Sequence, residues 1–69
     1  METRQMIELA RTYKKISQAE LARRLGMSPQ SLNQKLLKGS WSIEDLSKVA
    51  DALNIKFNCY FEFEDGTKI

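Results

Sequence analysis

S-Q-A-E-L-A-R-R-L-G-M-S-P-Q-S-L-N-Q-K-L-L-K-G, Ser17 to Gly39, reads as two short helices joined by a tight turn at Gly26. Ser17 followed three residues later by Glu20 is a capping box, and Ile16 with Leu21 frames it as a hydrophobic staple. Ser28 opens the next helix, with Pro29 at the first helical position, where a missing N–H costs nothing. Met27 and Leu32 form the second staple. A glycine between the two can take the left-handed conformation that ends a helix abruptly. Leu21, Ala22 and Leu25 line one face of the first helix, and Leu32 and Leu36 line one face of the second.

Outward from this stretch, the same signals continue. Met6, Ile7, Ala10 and Tyr13 recur at helical spacing and are expected to face the core of a helix over residues 3–13. Lys14 and Lys15 suit its C-terminal end. Ser42, with Asp45 three residues on and Trp41 and Leu46 as a third staple, opens a helix over about 42–53 with a buried stripe of Leu46, Val49, Ala50 and Leu53. The motif helices are expected over about 17–25 and 28–37. Then the period changes. From Ile55 to Glu64 every odd position is apolar, the pattern of a half-buried strand. Asp65-Gly66 is a hairpin-turn signal, and residues 67–69 are placed to return as a short second strand.

Sixty-nine residues make one domain, 1–69, with a core so small that it gains from a partner subunit. One cysteine excludes an internal disulfide, and the absence of histidine argues against a zinc finger; no metal and no cofactor are expected. No run reaches membrane-spanning length and no apolar signal region precedes the first helix, so a cytoplasmic protein with no membrane association is expected. Cys59 reads as a small buried apolar residue rather than a redox switch. Carboxylates are scattered, with no nucleophile–base pair and no phosphate-cradling loop. An enzyme is not expected.

Charge is uneven. Residues 1–41 hold eight Lys/Arg and three acids, a net of +5, whereas residues 42–69 hold three lysines and six acids, a net of −3. The basic half is also the two-helix half, as suits a domain with one side toward phosphate. With Leu32 and Leu36 inward, about 100° per residue puts Gln30, Gln34, Leu37 and Lys38 on the far side of their helix, with Asn33 and Lys35 on its flanks. Glutamine and asparagine pair bidentately with adenine in a DNA major groove. A plain solvated helix face has the same composition, so it is the two-helix motif that favours nucleic acid. Arg23 and Arg24 sit opposite the apolar face of their helix, either solvated or near phosphate.

The segment resembles the helix-turn-helix of phage Cro and repressor proteins, the Xre family. Gln18 at the start of the first motif helix, Ala22 at the helix–helix contact, Gly26 in the turn, Ser28 at the next cap and Leu32 in the core carry the resemblance. I-E-D-L-S-K-V-A-D-A-L-N-I, Ile43 to Ile55, resembles the helix that follows the motif in this family. One departure stands out. The family commonly has a second aliphatic residue three positions after that matched by Leu32; here it is Lys35, and the next aliphatic is Leu36. This implies a recognition helix rotated or extended relative to the family's.

The resemblance implies a mainly α fold: a four-helix Cro/repressor-like helix-turn-helix domain with a C-terminal β-strand or hairpin, the strand over 55–64. It implies a sequence-specific transcriptional regulator, a dimeric repressor of phage or mobile-element type, that binds a palindromic operator in double-stranded DNA through helix 28–37. Base contacts are expected from Gln30, Ser31, Asn33 and Gln34, and backbone contacts from Gln18, Ser28, Lys35, Lys38 and Ser40. Phe57, Cys59, Phe61 and Phe63 on the strand are expected to make a homodimer. No small-molecule ligand is expected. An antitoxin or other protein-interaction module, whose C-terminal strand binds a partner protein by strand addition, is the alternative.

Overall fold

Three serines start three helices. Their hydroxyls accept the backbone N–H three residues on: Ser17 from Glu20 at 3.0 Å, Ser28 from Ser31 at 3.1 Å and Ser42 from Asp45 at 3.0 Å. Each such cap is worth about 1 kcal/mol. The computed structural model describes residues 2–69, and among them it has four helices: α1 (Thr3–Tyr13), α2 (Gln18–Arg24), α3 (Pro29–Lys38) and α4 (Ile43–Leu53). At α4 the capping box is reciprocal, since Asp45 also accepts from the Ser42 N–H at 3.1 Å. At α2 it is not, because the Glu20 carboxylate turns to Arg23 and Arg24 instead.

The helix ends repeat a device as well. Ile16 N–H reaches back to Arg11 O and Lys15 N–H to Thr12 O; Met27 pairs with Ala22 and Gly26 with Arg23; Ile55 pairs with Ala50 and Asn54 with Asp51. In each case the paired bonds close the helix through one left-handed residue, Lys15 (φ 58°), Gly26 (φ 73°) or Asn54 (φ 57°), followed by an apolar one. Ile16 and Met27 therefore end one helix and precede the serine cap of the next. No linker is needed, and the directions of α2 and α3 are set within three residues on each side.

α2 packs on α3 and on α4, and α1 packs on α4. Leu21, Leu32 and Leu53 are fully buried where these helices meet, with Ile7, Ala22, Leu36 and Val49 completing the core. α1 contributes less than its spacing implies. Ile7 is buried and Ala10 packs against the core, but Met6 is 43% exposed and Tyr13 86%. With α4 as its principal partner, α1 has only a narrow covered face.

The C-terminal strand is not found. Residues 55–64 form no regular strand, and the one pairing is an isolated antiparallel bridge between Glu62 and Lys68. Phe63 N–H donates to Thr67 O at 2.7 Å and Ile69 N–H to Phe61 O at 2.8 Å, so the chain does reverse at Asp65-Gly66. The expected dimer residues share no covered face. Phe57 is half-buried, Cys59 is exposed rather than buried, Phe61 is 76% exposed and Phe63 is exposed. The physical reason is that a lone hairpin has no sheet to join. Alternation shows that a segment has an apolar side; it does not supply what covers it.

Lys15 occupies a left-handed conformation that costs a side-chain-bearing residue about 1 kcal/mol. Lys15→Gly is therefore expected to raise the thermal midpoint by roughly 5 °C. Gly26→Ala is expected to lower it by a similar amount through backbone strain alone, since a Cβ there meets nothing within 4 Å. Paired thermal melts check both signs.

Candidate nucleic-acid interface

α3 is held by one face and shows the other. Leu32 and Leu36 are both buried, so the helix cannot turn about its axis without exposing one of them. Gln30, Ser31, Asn33, Gln34 and Lys38 are exposed. Gln18, at the start of α2, reaches across to α3, its Nε2 donating to Asn33 Oδ1 in a long bond of 3.5 Å. This bond ties the first turn of α2 to the middle of the amide row. Ser28 caps α3, and its hydroxyl donates to Ser31 Oγ at 2.9 Å, so Ser31 belongs to the helix entry.

The candidate residues form two groups. Gln18 and Asn33 are joined directly, and Ser28, Gln30 and Ser31 cluster at the start of α3. Ser31, Gln34, Lys35, Lys38 and Ser40 share a shallow groove of ≈ 300 Å³ with Met27 along the second half of α3 and the loop beyond it. Ser31 belongs to both regions, which makes the face continuous.

Lys35 differs from its expected part. Its Nζ lies 3.2 Å from Asp45 Oδ2 and 5.1 Å from the centroid of the Trp41 ring. The stem of a lysine can cover apolar surface while its charge stays at the edge. Here it stands where the resembling family has an aliphatic residue, and it closes the joint between α3 and α4. The Asp45 carboxyl is held below its ordinary range, first by the Ser42 backbone N–H and then by Lys35.

The arginines of α2 are also occupied. Glu20 accepts from both Arg23 and Arg24, and those hydrogen bonds lower its pKa from 4.5 to about 2. Arg24 further donates to Ala52 O at 2.9 Å, covering an open carbonyl in the last turn of α4. Arg11 pairs with Glu8 at 2.7 Å and donates to Ile16 O. Of the cations in residues 1–41, Arg4, Lys14, Lys15 and Lys38 make no ion pair among the described residues. The Glu20 cluster was readable from its i, i+3 and i, i+4 spacing. The Arg24–Ala52 bond, between residues 28 apart in sequence, carried no local signal.

A family model described as helix-turn-helix matches residues 7–58, spanning the core, both motif helices and α4. The chain belongs to the helix-turn-helix family. It is a DNA-binding transcriptional regulator of the Cro/Xre type. Comparison with curated proteins and with solved structures gives no match. Within this helix-turn-helix protein no helix among the described residues is long and apolar enough to cross a membrane.

The depressed Glu20 pKa fixes a pH dependence. A carboxyl that titrates lower in the folded chain than in the unfolded one stabilises the fold above its unfolded pKa, and that contribution fades as pH falls. The stability difference between wild type and Glu20→Gln is expected to be constant at neutral pH and to shrink between pH 4.5 and about 2. Urea titrations of both proteins across this window check it.

Proposed function

We propose that this protein is a sequence-specific repressor that occupies promoter DNA as a homodimer, with α3 in the major groove of each half of a palindromic operator. The observation that carries the reading is the exposed amide row Gln30, Asn33 and Gln34 on a helix whose other face is locked into the core by Leu32 and Leu36. Gln30 and Gln34 read base edges, with Asn33 oriented for the same task by Gln18. Ser28, Ser31, Lys38 and Ser40 contact the sugar–phosphate backbone, where the N-terminus of α3 also favours an anion. Lys35 acts as a brace between helices rather than as a free phosphate ligand. Occupancy of promoter DNA suffices for repression and asks for binding, not catalysis.

The dimer rests on a different observation. Tyr60, Phe61, Phe63 and Ile69 are exposed together in the C-terminal hairpin. A second copy that covers them would place two recognition helices about one DNA turn apart, ~34 Å. The same exposed aromatics favour the second reading, an antitoxin or other module whose hairpin binds a different protein. The mass of the purified protein in solution separates the two: a dimer that Phe61→Asp converts to a monomer with weakened operator binding supports the first, and a wild-type monomer supports the second.

Selection of duplexes from a randomised pool, followed by binding titrations, tests the DNA reading. Gln30→Ala and Gln34→Ala are expected to relax base preference without loss of fold, and Lys38→Ala to weaken all duplexes alike. If a dimer neutralises about six phosphates, affinity is expected to fall by about a thousandfold between 50 and 200 mM salt. Failure to enrich any sequence, together with salt-independent binding, would count against the proposal.

A further inference from the structure

α3 carries three leucines, and two of them account for its packing. Leu32 and Leu36 are buried, whereas Leu37 is 61% exposed and plays no part in the core. Its place is specific. Seven residues after Gln30 and three after Gln34, it lies about 20° round the helix from Gln30, on the same outward ridge. The surface beside it is polar: Gln34 and Lys38 are exposed, and Lys38 makes no ion pair among the described residues. An apolar protein surface laid over Leu37 would also cover those groups, and polar groups buried without partners are costly. A DNA major groove fits the whole ridge, because it offers base edges to the amides, phosphate to the lysine and one apolar group to the leucine. That group is the 5-methyl of thymine.

We propose that Leu37 is a specificity-determining residue that packs against a thymine methyl group in the groove entered by Gln30 and Gln34. This rests on the DNA-reading role of α3 argued above. Leu37 and Gln30 are separated by about 10 Å along the helix axis, the rise of about three base pairs. The ridge is thus long enough for its amides and its leucine to meet different base pairs of one half-site.

The experiment uses the full chain and a duplex selected by it from a randomised pool. Each thymine is replaced in turn by uracil, which keeps the pairing and removes only the methyl group. Wild type is expected to lose about fourfold in affinity at one thymine per half-site, the worth of one buried methyl group. Leu37→Ala is expected to bind the thymine and uracil duplexes equally at that position, while retaining sensitivity to substitutions at the bases read by Gln30 and Gln34. Its fold is checked by thermal melting. Wild-type binding that ignores uracil at every position overturns the proposal, as does Leu37→Ala retaining the full uracil effect. So does a Leu37→Ala protein with unchanged affinity for the duplex but a changed oligomeric state, which makes another chain the occupant. If no duplex is enriched at all, the DNA-reading role of α3 itself fails, and this inference falls with it.

Discussion

The left-handed turn at Gly26 is the constraint on which the rest of the structure depends. Within six residues, from Arg23 to Ser28, α2 ends, the chain reverses its helical sense once, and α3 begins. Met27 N–H returns to Ala22 O at 2.9 Å, and Gly26 N–H to Arg23 O at 3.1 Å. The Ser28 hydroxyl then takes up the Ser31 N–H at the start of α3. These short-range bonds close the end of α2 and open α3 within a few residues, so the angle between the helices is fixed locally. Burial of Leu21 and Ala22 in the same core as Leu32 adds the tertiary part. Together they determine which side of α3 faces outward, and therefore which side chains can meet DNA.

The helix starts and the orientation of α3 were legible because both rest on short-range physics. A serine cap is a bond between residues three apart, and Ser17, Ser28 and Ser42 each make one. Leu32 and Leu36 fix a buried face through the helical period alone. What was not legible joins distant segments. The Lys35–Asp45 pair links the second half of α3 to the first turn of α4 across the intervening loop, and only the fold shows it. Likewise, Arg24 capping Ala52 O required knowing that the end of α4 lies beside α2. Exposure was misjudged where the pattern was apolar and nothing in the chain covers it: Tyr13 in α1, and Cys59 and Phe61 in the C-terminal segment.

The two halves of the chain therefore differ in kind. Residues 3–55 hold together through caps, closures and a shared core, with the buried Trp41 Nε1 left without a partner among the described residues. The C-terminal segment is tied by a few backbone bonds between residues 61–63 and 67–69 and leaves its aromatics open. The charge asymmetry divides the chain elsewhere, with a net of +5 over residues 1–41 and −3 over residues 42–69. The outward face of α3 is built in advance, and the aromatic surface of the C-terminal segment is left uncovered.

Base contact by the outward face of α3 has a direct spectroscopic readout. The most direct measurement is a nuclear magnetic resonance titration of the isotope-labelled protein with its selected duplex, following the side-chain amide signals of Gln30, Asn33 and Gln34. If α3 reads base edges, these signals shift strongly, as do backbone amides at the start of α3, while the buried Leu53 environment stays unchanged. Shifts confined to the C-terminal hairpin, with the three side-chain amides unmoved, would contradict it.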